Sequence, residues 1–207
     1  MSRITGPKAR ICRAHGVNLF GSSKYDRILA KKPYAPGIHG PNGAKKLSQF
    51  GRQLKAKQLA RMIFGVSEKQ LRNYAVKAAH QVGDTGDNLM RLLESRLDNV
   101  VLKAGFAKTV FQARQMVNHG HFEVNGRKAG TPSILIKTSD VITVREKYRS
   151  SSLYETTQKI SPKNAKVAPG WLQVDNKTLS ITVIDLPQRD HFDPLINIKP
   201  IVEFYSR

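Results

Sequence analysis

"TVFQARQMVNHGHFEVNGRKAG", residues 109–130, decides the fold. Thr109 and Gln112 are spaced as a capping box. Val110, Ala113 and Val117 recur at helical spacing, and Gly120 stops the helix. Beyond it Phe122 and Val124 alternate with His121 and Glu123, and Asn125-Gly126 is a strong short hairpin signal. A short helix therefore runs into a tight antiparallel ribbon. His119, His121 and Glu123 are also side chains that a transition metal would choose.

Upstream, "DNLMRLLESRLDNVVLKAG" (87–105) reads as one helix with Asp87 as N-cap, ending at Gly105. Its apolar stripe is Leu89, Leu93, Leu97, Val100 and Ala104, and Arg96, Asn99 and Lys103 share a different, polar face. Downstream, "SILIK" (133–137) and "DVITVRE" (140–146) read as further strands, the second with Ile142 and Val144 on one face. Residues 91–149 thus form a module of two helices packed on a small antiparallel sheet, and the fold class is α+β. Before it, "SQFGRQLKAKQLARMIFG" (48–65) places Leu54, Leu59, Met62 and Ile63 at near-helical spacing. "SEKQLRNYAVKAAHQVG" (67–83) follows, with Ser67 and Gln70 as a capping box and Leu71, Tyr74, Ala75 and Ala78 on one face. These predict a helical hairpin.

Charge points to the partner. The chain of 207 residues holds 35 Lys and Arg against 15 Asp and Glu, a net charge of +20. Such a surface attracts a polyanion, of which nucleic acid is the commonest. No apolar run has spanning length and no basic amphipathic anchor opens the chain, which argues against a membrane partner. The opening residues lack the apolar centre of a secretion signal, and a single cysteine, Cys12, makes no internal disulfide; both suit the cytoplasm. Residues 1–46 carry ten basic residues against one acid, whereas residues 150–207 carry seven against six. The first segment is also rich in Gly and Pro. It reads as an extended basic arm that orders on RNA, or as a solubilising tail.

Three uses compete for the histidines. A metal site needs three or four converging ligands, and His119 in a last helical turn need not converge with His121 across a glycine turn. A histidine near a helix C-terminus is favoured by the macrodipole without any ligand. Direct RNA contact is the third use, since Arg114, Arg127 and Lys128 gather at the same corner. An enzyme is disfavoured: no nucleophile–base pairing, phosphate-cradling glycine loop or metal constellation stands out elsewhere. An RNA-modifying or tRNA-ligating enzyme with such a module would need a much larger catalytic domain. A stand-alone stress RNA binder would be shorter and lack the basic arm.

Residues 92–130, "LLESRLDNVVLKAGFAKTVFQARQMVNHGHFEVNGRKAG", closely resemble the RNA-binding module of the bacterial small-subunit ribosomal protein number four family. "PYAPGIHG" (33–40), "SEKQLRNY" (67–74), "PGWLQVD" (169–175) and "IVEFYSR" (201–207) resemble landmarks of the same family, so the resemblance covers essentially the whole chain. It implies a structural protein that binds 16S rRNA early in small-subunit assembly. It implies that Arg96, Arg114 and Gln115 line a basic groove against the rRNA backbone. It also implies that His119, His121, Asn125, Arg127 and Lys128 set the turn and hairpin against RNA. Arg10, Arg13, Lys45, Lys46, Lys103 and Lys108 complete the expected rRNA-binding set, while Asp98 is assigned to orienting a neighbouring arginine.

The resemblance further implies that the module is inserted into a helical domain built from residues 47–90 together with 150–207, with Trp171 as a packing residue. Contact with small-subunit ribosomal protein five, a place near the path by which mRNA enters, and repression of the protein's own mRNA are implied as well. Many relatives carry four zinc-binding cysteines near the N-terminus. In "GPKARICRAHGVNLFGSSKYD" (6–26) only Cys12 remains and Ala9 stands at the first ligand position, which resembles the zinc-free form. No cofactor is expected.

Overall fold

The computed structural model describes residues 6–42, 46–154 and 168–206. They fall into two compact units, residues 87–193 and the remainder on either side.

The first unit is helical. α1 (Lys8–His15) and α2 (Ser23–Lys31) lie within the segment expected to be an extended arm. Gly16 ends α1 with φ +76°, a left-handed conformation that glycine adopts without a Cβ clash. Asn18 holds the link to α2: its Oδ1 accepts from Phe20 N and Gly21 N, and its Nδ2 donates to Asp26 Oδ1 at 2.9 Å. Cys12 and Phe20 are buried.

α3 (Gln49–Ile63) and α4 (Glu68–Ala79) form the expected helical pair. The Ser67–Gln70 capping box is present, and α4 buries Leu71, Tyr74, Ala75 and Ala78 as its spacing predicts. α3 differs. Leu54, Leu59, Met62 and Ile63 are only half-buried, while Gln53, Lys57 and Ala60 make the inner stripe. The polar members of that stripe have partners from the C-terminal helix α9 (Lys199–Tyr205) and from α4. Gln53 Nε2 donates to Glu203 Oε2 at 2.8 Å, and Lys57 Nζ pairs with Glu68 Oε1 at 2.7 Å beneath the Phe204 ring. Tyr205 Oη donates to the same Glu68 oxygen. Each of these side chains makes at least one hydrogen bond, which offsets much of the burial, although Gln53 Oε1 and Glu68 Oε2 are buried without a partner among the described residues.

The second unit holds α5 (Thr85–Glu94) from Asp87 onward, α6 (Leu97–Lys103), α7 (Val110–Asn118), α8 (Glu146–Arg149) and one antiparallel sheet. Its strands are β1 (Phe122–Val124), β2 (Arg127–Ala129), β3 (Val141–Val144), β4 (Leu172–Asp175) and β5 (Ser180–Val183), in the order β2-β1-β3-β5-β4. Asn125 and Gly126, with φ +49° and +75°, make the two-residue turn that pairs Val124 with Arg127. Phe122, Ile142, Val144, Ile181 and Trp171 meet Leu97, Val100, Ala113 and Val117 in a single core.

Four expectations are corrected here. The helix predicted over 87–105 is broken at Arg96, whose backbone is extended (φ −67°, ψ 138°). Leu97 N donates to Ile134 O at 2.9 Å and Ile136 N to Ser95 O at 2.8 Å, so "SILIK" bridges the break through Arg96 and Leu135 instead of joining the sheet. Asp87 is not the N-cap: it lies in the first turn of α5 and pairs with Arg189 Nε at 2.6 Å. Residues 168–193 belong to this unit, since β5 pairs with β3, and only the chain from Pro194 returns to the first unit.

Candidate nucleic-acid interface

The corner after α7 is assembled around Gly120. Thr109 Oγ1 accepts from Gln112 N, and the Gln112 side chain accepts from Lys108 N, one residue short of a reciprocal capping box. This starts α7 so that Gln115 is exposed and Arg114 keeps 16% of its side chain exposed. His119 caps the far end and is exposed, and its carbonyl accepts from Tyr148 Oη at 3.2 Å. Gly120, at φ +70°, lies under Lys128: a Cβ there would stand 2.8 Å from Lys128 Cε. Arg145 Nη1 donates to Gly120 O at 3.4 Å while its Nε pairs with Glu123 Oε1 at 3.1 Å.

His121 is committed to the protein. Its ring stacks on Tyr148 at 3.9 Å and 3°, and its Nδ1 lies 3.1 Å from Tyr154 Oη. Burial, and then the neighbouring His119, hold its pKa below the usual histidine range. A ring kept neutral, stacked and hydrogen-bonded shapes the corner. Among the described residues, no three or more His, Cys, Asp or Glu side chains gather as a metal ion would require.

Asn125 likewise faces the fold: its Nδ2 donates to Asp140 Oδ1 at 2.8 Å and its Oδ1 accepts from Val141 N at 2.9 Å. It fixes the turn that presents Arg127 and Lys128, both exposed. Nearby, Glu123, Arg145, Glu146, Lys147 and Arg149 line a pocket of about 420 Å³. Arg145, Lys147 and Arg149 were not singled out from the sequence. Their signal was a basic run directly after a strand, which alternation of polar and apolar residues does not reveal.

Arg96 does not line a groove. It is completely buried, its Nε and Nη2 bonded to the two Asp98 oxygens at 3.0 and 2.6 Å, because the helix break turns its side chain inward. Asp98 also pairs with Arg114 Nη1 at 3.7 Å. Burial pushes the Asp98 carboxyl up, and Arg96 and Arg114 oppose it. Lys103 is half-withdrawn, 3.4 Å from the buried Glu94 carboxylate and donating to His191 O. Burial raises the Glu94 pKa against the pull of Lys103 and Asn99. Lys108 is exposed at the start of α7.

In the first unit, Arg10, Arg13, Lys31 and Lys32 line a cleft of about 640 Å³ floored by Ala9, Ile28 and Pro36. Arg10, Lys31 and Lys32 are exposed. Arg13 is a clamp: it donates to Tyr34 O and Ala35 O at 3.1 and 3.2 Å and lies over the Tyr34 ring. Lys46 is exposed, and Lys45 lies outside the described residues.

The family model described as "Ribosomal protein S4/S9 N-terminal domain" matches residues 3–94, and the "S4 domain" model matches residues 95–142. Small ribosomal subunit protein uS4 of Syntrophomonas wolfei is 44% identical over 211 aligned positions, covering both chains completely. The protein of that name from Heliobacterium modesticaldum is also 44% identical over the whole of both chains. That from Borrelia duttonii is 41% identical over all of this chain and 99% of its own. A tandem of these two domains, similar to such relatives from end to end, assigns the chain to the uS4 family of small ribosomal subunit proteins, structural RNA-binding proteins and not enzymes.

Proposed function

We propose that the protein binds 16S rRNA directly and early in assembly of the small subunit, holding a multi-helix junction by neutralising its phosphates. The observation that carries this reading is the corner around Gly120, where Lys128, His119, Arg114 and Arg127 stand on a rigid helix end and a two-residue turn. Side chains on such supports meet phosphate with little ordering left to do. Arg10, Lys31 and Lys32 of the first-unit cleft supply a second set of cations.

On this reading the protein acts in the cytoplasm as part of the subunit. It touches ribosomal protein five, lies near the path by which mRNA enters, contributes to decoding accuracy, and represses its own mRNA. These finer roles rest on family analogy. The zinc-free reading belongs here too: Cys12 stands buried and is the only cysteine of the chain.

Binding of the full chain to 16S rRNA over a salt series tests the core of this. Replacing Arg127 and Lys128 together with Ala should weaken binding and flatten the plot of log affinity against log salt by about 1.4–1.8, from 0.7–0.9 per lost phosphate contact. An unchanged slope removes the hairpin from the interface.

A further inference from the structure

We infer that Asp98 is a positioning residue for RNA binding: its buried carboxylate, fixed by Arg96, sets the orientation in which Arg114 is presented to rRNA. The inference rests on the reading above that Arg114 meets RNA.

The geometry is that of a braced cation. Arg96 and Asp98 side chains are 0% and 1% exposed, and the two arginine nitrogens grip both carboxylate oxygens in a fork. That fork leaves the Asp98 carboxylate little rotational freedom. Arg114 then docks one terminal nitrogen 3.7 Å from Asp98 Oδ2, with only 16% of its side chain exposed. An arginine held this way loses less rotamer freedom on meeting phosphate than one waving in solvent.

The charge count explains why two arginines share one acid. A lone Asp98 would cancel Arg114 and leave nothing to attract a phosphate. With Arg96 beside it the trio keeps one net positive charge, so Arg114 is oriented without being neutralised. The helix break serves the same end. Arg96 has extended backbone between α5 and α6, which lets its side chain reach Asp98 two residues later. On a continuous helix two such residues would diverge by more than half a turn.

The test uses the full chain and 16S rRNA, with folding of each variant checked by urea denaturation and affinities compared on folded protein. Asp98→Asn raises the net charge by one, so simple electrostatics predicts tighter binding. Positioning predicts the opposite: a loss of about fivefold, within the range for one ordinary hydrogen bond, with the salt slope unchanged. Arg114→Ala should lose at least as much and flatten the slope. The double variant should bind no worse than Arg114→Ala alone. If Asp98→Asn does not fold, Arg114→Lys is the second probe; it keeps the charge but cannot span carboxylate and phosphate together, and should lose most of what Arg114→Ala loses.

Asp98→Asn binding at or above the parent affinity, while Arg114→Ala is weakened, overturns the positioning role alone. Arg114→Lys with parent affinity does the same. Parent affinity in Arg114→Ala removes the contact itself, and the proposal with it.

Discussion

Replacing Arg96 by Met should destabilise the second unit by about 3 kcal/mol, the lower end of the roughly 3–5 kcal/mol lost when one partner of a buried ion pair is removed. The lower end applies because Arg114 stays 3.7 Å from the stranded carboxylate and offsets part of the loss. Shape contributes little, since Met fills much of the arginine stem and the extended backbone at position 96 accepts it. Removing both charges, as Arg96→Met with Asp98→Asn, should restore about 1–2 kcal/mol, because the stranded Asp98 carboxylate is then gone. Trp171 reports the change cleanly: it is the single tryptophan and lies in the core of the same unit. Its fluorescence in urea should show a midpoint lower by about 1.5 M for the single variant, taking a slope near 2 kcal/mol per M. Added salt should change that difference little, because a buried pair is poorly screened. A single variant within about 1 kcal/mol of the parent, or a double variant worse than the single, refutes the account of Arg96 as a brace.

Two further outcomes follow from the corner. Gly120→Ala should be less stable by about 1–2 kcal/mol in the same fluorescence assay, from the left-handed backbone, and should weaken rRNA binding by displacing Lys128; equal stability would contradict the φ of +70°. For His121 the folded pKa is depressed, so below about pH 6.5 the unfolded chain binds a proton that the folded chain refuses. Stability should therefore fall from pH 7.5 towards the depressed value and then level off. His15, also depressed by burial, acts in the same direction in the other unit. His121→Phe should remove the dependence seen by Trp171, and persistence of the full pH effect would assign it elsewhere.

What the sequence made legible was local. The Ser67–Gln70 box, the Asn125-Gly126 turn and the inward Ile142 and Val144 depend on residues a few positions apart, and each stands as expected. What it hid was long-range. Apolar periodicity runs unbroken through Arg96, and the break is set by backbone pairing with residues 134–136, some forty positions on. The inner face of α3 holds Gln53 and Lys57 because their partners, Glu203 and Glu68, come from other helices. Net charge in residues 150–207 gave no hint that β4 and β5 would extend the sheet of the module. Of the expected contacts, Arg127 and Lys128 stand exposed, whereas His121 and Asn125 are hydrogen-bonded within the protein and build the corner that carries them.

That division limits how electrostatic the interaction with RNA can be. A charge of +20 invites the expectation of a very steep salt dependence, yet several cations already have partners inside the protein. Arg96 is spent on Asp98, Arg13 on the Tyr34 and Ala35 carbonyls, Lys57 on Glu68 and Lys103 on Glu94. The expected contacts left to meet phosphate on this reading are the exposed Arg10, Lys46, Lys108, Arg127 and Lys128, together with Arg114, which is partly exposed and braced by Asp98. If each neutralises one phosphate, the slope of log affinity against log salt should be about −4 to −5, at 0.7–0.9 per contact. Lys31 and Lys32 of the cleft would steepen it to about −6 or −7 if they also meet phosphate. A titration of 16S rRNA binding between low and moderate salt decides this. A slope near −10 would mean that braced cations such as Arg13 and Lys103 leave their protein partners for RNA, and the reading of these side chains as internal supports would then fail.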